Sequence, residues 1–527
     1  MPIMISIPDD CKPLADAMKH LVTSVERAHR RADGGRAVDY AQIERELGER
    51  TAAVERAAHA SILTALDIDA PAVVIDGRIH TRVHRADGRY YTMAGDVVVP
   101  RSLYRAERNG PVVDAISLRA GAVDGGWLPE TATAMAHLLQ QGTPREAEDT
   151  AHRVGRLPYS RSSFDRVGHA VGQRYAAQKT AIDDALIVAL EIPAPAQSVS
   201  FGMDRVSLPL EEPRPRPVGR PRKDAPKRPA QRVFRMAYCA TVTFHDETGT
   251  ALHTIRQGAV PSADPGDLCD RLLADAVAIL EQRPDLRVVL LSDGAPELRD
   301  LLRGTLDEAT LGTRVYELLD FWHLLEKLAS AAPIVYGEAR APAVMARWRV
   351  DLLNRNAAPD TIHEALVDSG KRQVRIGATR PVHEAITYLE NHRERLGYPG
   401  ARRRGLPIGS GNTEATCKTL ITVRMKRSGA RWKEATAGDV INLRALALSD
   451  RGSLLFSSPS HHSESRCEPL HDHNESHTLE KVRVLSDSCS HILLLHHSSV
   501  SRDCPRLHAR NRRLLYRRYA LSRLAPR

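Results

Sequence analysis

The sequence predicts a multidomain α/β protein, and three observations predict it. At 527 residues the chain exceeds one ordinary domain, so about two to four are expected. Segments with helical period alternate with short strand-like runs separated by Gly, Pro and Asp-Gly punctuation. The nearly continuous apolar run Leu286–Ser292 is short and partly β-branched, as expected of a strand buried on both faces.

Composition narrows the function classes. A net charge of +10 and a pI near 9.3 favour an acidic partner, most simply nucleic acid. The charge is clustered: residues 209–232 carry eight Lys/Arg against three Asp/Glu, residues 401–450 ten against four, and residues 451–527 thirteen against seven. The remainder of the chain is therefore net acidic. Seven cysteines at 11, 239, 269, 417, 467, 489 and 504 form no CxxC pair, which argues against a zinc knuckle or a disulfide framework and fits a reducing cytosol. No run of roughly 18 apolar residues and no signal-peptide pattern is present, so a soluble, cytoplasmic protein without membrane contact is expected.

Along the chain, residues 1–70 read as helical, with Ile43, Leu47, Val54, Ala58, Ile62 and Leu66 in helical period. Residues 71–106 read as a small antiparallel sheet whose short strands are divided by the Asp-Gly turns at 76–77 and 87–88. Residues 107–182 return to helix. Thr143-Pro144 with Glu146 is a capping box with proline at the first helical position, and Gly155–Tyr159 makes a turn. A second helix from Ser160 puts Phe164, Val167, Val171 and Tyr175 on one face and Arg161, Arg166, His169 and Arg174 largely on the other. This pair reads either as a helix-turn-helix that binds DNA or as an ordinary helical hairpin.

The segment 183–323 carries the chemistry. A strand near Val199–Leu208 includes Asp204, and the Pro/Arg-rich stretch Glu211–Arg232 is expected to be a mobile loop. Within it, Val218-Gly-Arg220-Pro-Arg-Lys223 resembles an AT-hook, with Arg220 at its centre; a plain basic linker is the other reading. Two further strands, a helix, the Leu286–Ser292 strand ending in Asp293, another helix and a strand at 314–319 follow. Three antiparallel strands continued by α/β units, with an acid on the first strand and another after the fourth, is the layout of an RNase H-like core. Adding the carboxylate of Glu414, on the first turn of a late helix, gives three hard oxygen ligands. Such a set holds two divalent cations, Mg²⁺ or Mn²⁺, about 3.5–4 Å apart for in-line attack on a phosphodiester. Asp224 and Asp246 are nearby acids, but one sits in the expected loop and the other in a hairpin turn. Glu414 is also open to a simpler reading, as a helix N-terminal acid paired with Lys418.

Four motifs carry a family resemblance: Met203-Asp204-Arg-Val-Ser, Leu291-Ser-Asp293-Gly-Ala-Pro, Leu319-Asp320-Phe-Trp-His323, and the long block from Gly405-Leu-Pro-Ile-Gly-Ser-Gly411 through Glu414 to Arg424-Met-Lys426-Arg427-Ser-Gly429 and Trp432. Over roughly residues 40–450 the chain resembles DDE transposases of bacterial insertion sequences, closest to the ISKra group. The resemblance implies a catalytic triad on Asp204, Asp293 and Glu414, and an all-helical insertion at about 324–404 with Trp348, Tyr388 and Tyr398 in its core. It further implies that Asp320 and His323 contact DNA near the active site, although capping of the next helix by Asp320 and packing of His323 beside Trp322 is an alternative. Residues 405–450 complete the core. There Lys418, Arg424, Lys426, Arg427, Arg431 and Lys433 are expected to grip phosphates, and Trp432 either stacks on a base or anchors the last helix.

The expected function is metal-dependent cleavage of double-stranded DNA at element ends and strand transfer into target DNA, by a homo-oligomer acting at the bacterial nucleoid. A catalytically inactive DNA-binding regulator and an RNase H-like structure-specific nuclease are the alternatives. Beyond Asp450 the composition changes: residues 451–527 hold nine of the 23 histidines and three of the seven cysteines. A disordered tail read from a shifted frame is expected there.

Overall fold

A short apolar strand sets the centre of the molecule. In the computed structural model, which describes residues 7–8, 11–32, 37–213, 230–452 and 467–469, the apolar run predicted as a central strand is β8 (Arg287–Ser292), buried at every position after Arg287. It lies in a five-stranded sheet of order β7-β6-β5-β8-β9. β5 (Ser198–Glu212), β6 (Gln231–His245) and β7 (Ala251–Ala259) are antiparallel, whereas β8 and β9 (Val315–Leu319) run parallel to β5. The parallel crossovers are helical, as such connections require: α8 (Pro265–Gln282) precedes β8, and α9 (Pro296–Thr305) with α10 (Glu308–Leu311) joins β8 to β9.

One face of this sheet packs Val199, Phe201, Met203 and Val242 against Leu268, Leu272, Ile279 and Leu298 of α8 and α9. Residues such as Phe201, with no exposed surface, each stabilise the fold by about 1.5–3 kcal/mol. The opposite face packs Leu208, Leu210 and Ala237 against Leu420, Ile421, Met425 and Trp432, and against Val440 and Ile441 of α18 (Glu434–Leu448).

The N-terminal half begins with α1 (Lys12–Ala32) and α2 (Tyr40–Leu66), followed by the small sheet of β1 (Ala72–Ile75), β2 (Arg78–Thr92), β3 (Gly95–Arg105) and β4 (Val113–Asp114). Asp76-Gly77 is a hairpin turn with positive φ at both residues, the conformation that a tight two-residue connection needs. Asp87-Gly88 is not a turn. Both residues lie inside β2, opposite Pro100 and Val99, because the flanking segments pair with β3 rather than with one another. Helices α3 (Ala115–Ala120), α4 (Pro129–Gln141), α5 (Pro144–Arg153), α6 (Arg161–Ala177) and α7 (Lys179–Val188) lead into the central sheet. The capping box is present: Thr143 Oγ1 accepts from the Glu146 N–H, and Glu146 accepts from the Thr143 N–H at 2.7 Å.

Between β9 and the last part of the core the chain is helical throughout, in α11 (Phe321–Tyr336), α12 (Ala341–Asn354), α13 (Ala358–Asp368), α14 (Pro381–His392) and α15 (Tyr398–Arg403). Trp348 and Tyr398 are buried in one apolar cluster with Leu324, Leu352, Ile362 and Ile386, and Tyr388 packs at its edge.

The stretch expected as a loop from residue 209 is partly strand. β5 and β6 continue as a paired ribbon out to Glu212 and Gln231, and this end of β5 is held further by the Glu211 N–H donating to the Trp432 carbonyl at 2.8 Å. Residues 214–229, with Arg220 and Asp224, lie outside the described residues, as does most of the segment beyond 452. The exception is β10 (Cys467–Pro469), which pairs antiparallel with β1 and so departs from the expectation of a tail without structure. Among the described residues no helix is long and apolar enough to cross a membrane.

Candidate active site

Parallel pairing of β5 with β8 puts two acids side by side. The last paired positions are Gly202 and Leu291; Asp204 and Asp293 each stand two residues further on. Strand alternation turns Met203 into the core and Asp204 to the other face, where it is half-buried. Its Oδ1 accepts from the Arg205 N–H at 2.6 Å, and its Oδ2 accepts from the thiol of Cys417 at 3.4 Å. Burial first, and then the nearby negative charge of Asp293, raise the Asp204 pKa.

Asp293 is held from two sides. Its Oδ1 accepts from the Ala295 N–H at 3.0 Å, closing the turn that leads into α9, and its carbonyl accepts from the Tyr388 hydroxyl at 2.8 Å. The following turn needs glycine: Gly294 has φ +102, and a Cβ there would lie 2.9 Å from His392 Nε2. Arg395 donates to the Ser292 hydroxyl at 3.0 Å. Burial pushes the His392 imidazole down to about 4, so it stays neutral beside Arg395. Tyr388, His392 and Arg395 thus fix the Asp293 turn from the helical segment roughly a hundred residues downstream. Sequence reasoning assigned Tyr388 to the core and missed the other two, because no local pattern links them to residue 293.

Glu414 stands on α16 (Gly411–Thr416). The helix can approach the sheet because Gly202 has no side chain: a Cβ there would be 2.3 Å from Thr413 Oγ1, which instead bonds the Thr241 hydroxyl at 2.8 Å. Glu414 is half-exposed, and burial followed by the charges of Asp320 and Asp204 raises its pKa. Its ion pair is with His323, 3.3 Å away, rather than with Lys418 one turn along.

After Glu414 the helix widens. Cys417–Thr422 is a π turn, in which the Val423 N–H reaches back to the Lys418 carbonyl, and α17 (Val423–Met425) follows. Arg444 braces this stretch from across the core. Buried on α18, it donates to Leu420 O at 3.0 Å, to Thr419 O and to Gln140 O.

Several residues expected to touch DNA lie elsewhere. Asp320 is fully buried: its Oδ1 caps α11 through the His323 N–H at 2.7 Å, and its Oδ2 accepts from the Ser410 N–H and hydroxyl. Burial alone would raise its pKa, but these hydrogen bonds hold it below the usual value. It positions the glycine-rich turn and does not face a ligand. Arg424 is buried, donates to Leu139 O at 3.2 Å and lies over the Trp432 ring. Trp432 is itself buried, with its indole N–H on Met425 O at 3.1 Å, and so anchors the core rather than stacking on a base. Arg427 is exposed but ion-paired to Glu146, and Arg431 sits 3.9 Å from Glu211. Lys418, Lys426 and Lys433 are exposed. On α6, Arg161 is exposed, whereas Arg166 pairs with Asp124 at 2.8 Å, His169 with Asp439 at 3.0 Å, and Arg174 donates to Gly121 O. The expected basic outer face is therefore covered only in part: Arg161 and Arg166 stay exposed, while α18 packs so closely beside His169 that a Cβ on Gly172 would meet Asp439 Cβ at 2.5 Å.

His323 links the two acid groups. Its Nδ1 lies 3.2 Å from Asp320 Oδ1 and 3.3 Å from Glu414 Oε1, aimed squarely at neither. Contact with the Asp320 carboxylate raises its pKa to about 9 against the opposing effect of burial. Asp320, His323 and Glu414 bring one ligand atom each within 4.8 Å of one another, and without a cation they form an ion-pair network. Asp204, Asp293 and Glu414 supply hard oxygens, and burial with neighbouring negative charge raises the Asp204 and Glu414 pKa values, an effect that a cation would relieve; among the described residues these three do not bring their ligand atoms within 4.8 Å of one another.

No protein-family model and no curated protein matches the chain. Among solved structures, a chain of the Mos1 transposase paired-end complex with left transposon end aligns over 55% of this chain and 79% of that one, at 13% identity and a TM-score of 0.15.

Proposed function

We propose that the chain is a DDE transposase of the insertion-sequence type, resembling the ISKra group, which cuts double-stranded DNA at element ends and joins the freed 3′-hydroxyl to target DNA. The observation that carries this reading is the β5–β8 register, which sets Asp204 beside Asp293, with Glu414 delivered to the same end of the sheet on α16. The strand order, three antiparallel strands continued by two parallel ones, is that of an RNase H-like core.

In this reading Asp204, Asp293 and Glu414 hold two Mg²⁺ or Mn²⁺ ions. Such ions, when bound, activate the attacking oxygen and neutralise charge on the leaving one. The protein's own part is placement. Tyr388 and the Gly294 turn fix Asp293, Cys417 orients Asp204, and Asp320 ties the glycine-rich turn ahead of Glu414. His323 holds Glu414 in its resting position by charge. Joining two element ends implies a homo-oligomer.

The test is incubation of the full chain with DNA carrying the element's ends plus Mg²⁺ or Mn²⁺, with Asp293→Ala alongside. Strand-specific nicking by the wild type that vanishes in the variant, followed by joining to a target duplex, is expected. Cleavage without joining would identify a nuclease. Tight binding without cleavage would leave a DNA-binding regulator.

A further inference from the structure

We propose that the N-terminal ends of β8 and β9, together with the arginines that close α15, form a second surface for duplex DNA, roughly 20 Å along the strands from the candidate carboxylates. The proposal rests on the DNA reading given above and extends it to a part of the sheet that the catalytic residues do not reach.

Five exposed arginines gather there: Arg287 at the start of β8, Arg314 just before β9, and Arg402, Arg403 and Arg404. The Arg314 and Arg404 guanidinium groups lie 5.0 and 5.7 Å from the centre of the same Tyr316 ring. Arg287 donates to the Arg404 carbonyl at 2.6 Å, Arg402 reaches Asn354 Oδ1 at 3.4 Å, and Arg404 donates to Gly400 O at 2.8 Å. All of these acceptors are neutral. Among the described residues none of the five is ion-paired to a carboxylate. The acids near this end are Asp285, paired with Arg283, Glu308, which accepts from the Val315 N–H, and Asp246 and the exposed Glu247 of the β6–β7 turn, whose backbone lies against Gly405. Five arginines without a paired carboxylate outweigh these acids, and a polyanion is a partner that relieves their repulsion.

The chain itself connects this patch to the active site. From Arg404 the glycine-rich segment runs across the sheet, packing Leu406 and Ile408 on Val289, Leu291 and Leu318. It accepts the Phe321 N–H on Ile408 O at 2.9 Å and ends at Ser410 on Asp320. Arginines stand at one end of this segment and the Glu414 helix begins at the other. Arg287 and Asp293 are six residues apart on an extended strand, about 20 Å at ~3.3 Å per residue. At ~3.4 Å per base pair, duplex DNA covers that distance in about six base pairs. Tyr316 already carries two guanidinium groups over its ring, so the surface is suited to phosphates rather than to stacked bases. Its contribution is independent of sequence.

The test uses the full chain in EDTA, fluorescein-labelled duplexes of arbitrary sequence, and the triple variant Arg314→Ala, Arg403→Ala, Arg404→Ala. The expected result is binding at least tenfold weaker, with a slope of log affinity against log salt shallower by about 2–3, since each arginine neutralises one phosphate. On a pre-nicked duplex, hydroxyl-radical protection about six base pairs from the nick disappears in the variant while protection at the nick persists. Unchanged affinity and slope, or protection that survives the substitutions, would overturn the proposal. So would single-stranded RNA binding as tightly as the duplex. The Asp293→Ala cleavage assay separates the two readings: a binding loss in the triple variant of a protein that never cuts DNA keeps this surface and removes the catalytic assignment. A wild type that binds no DNA removes both.

Discussion

Two basic regions of the molecule look alike in composition and behave differently in the fold. Around residues 418–444 most arginines are structural: Arg424 and Arg444 are buried on carbonyls, Arg427 is paired with Glu146, and Trp432 closes the core, while Arg431 is exposed. At the start of β8 and β9, arginines drawn from three separate places in the chain are exposed and touch only neutral oxygens or an aromatic ring. Arginines that stand among other basic residues in the sequence, such as Arg424 and Arg427, are thus not the freest. What decides is whether a backbone acceptor or a carboxylate has already claimed each guanidinium.

Removing the Arg444 side chain gives the sharpest test of that contrast. Arg444→Ala removes a buried side chain that donates to three carbonyls and opens a void, so a loss of about 3–5 kcal/mol is expected on denaturant unfolding. A loss below about 1 kcal/mol would mean that this region is no more braced than the exposed patch. A buried acid makes the complementary case. Asp275 has no ion-pair partner among the described residues, only the Gln257 amide at 2.7 Å, and burial raises its pKa to about 6. A raised carboxylate destabilises the fold when ionised, fully above pH 6, and the penalty fades as pH falls toward the unfolded value of 3.8. Asp275→Asn should therefore raise stability by roughly 2–3 kcal/mol at pH 8 and change little at pH 4, measured by thermal melts at both. The smallest effect belongs to the exposed pair. Arg427 draws the Glu146 pKa down to about 2, so the pair's contribution is present above pH 4.5 and fades as pH falls through 2. Glu146→Gln should cost no more than about 1 kcal/mol at neutral pH, since solvent screens it.

The succession of strands along the chain was legible because its signals are local: β-branched apolar runs, an Asp-Gly at the end of β8, and a proline-led helix before β8 and before β9. Asp204, Asp293 and Glu414 stood out as candidates because the elements that carry them have clear local signals: Asp204 lies within β5, Asp293 directly after β8, and Glu414 on the short helix after the glycine-rich turn. The misreadings share a different cause. Asp87-Gly88 has the composition of a turn, but its conformation is set by the β3 residues across the ribbon. Arg424 and Trp432 look like a nucleic-acid contact until α4 and α18 are seen to cover them. Tyr388, His392 and Arg395 are invisible as supports of Asp293 because only the folded chain brings them to it. Patterns along the chain report period and punctuation, whereas burial of a polar group depends on partners far away in sequence.

The π turn after Glu414 acts as a phase shift. An α-helix advances about 100° per residue, so the one surplus residue within Cys417–Thr422 decides which way everything before it faces relative to Ile421 and Met425, its anchors in the core. With the turn closed to ordinary helix, the same side chains would point about a quarter of a circle away from the sheet's acids. The orientation of one carboxylate is therefore written not at residue 414 but in the winding of the six residues downstream, and in the arginine that keeps them from rewinding.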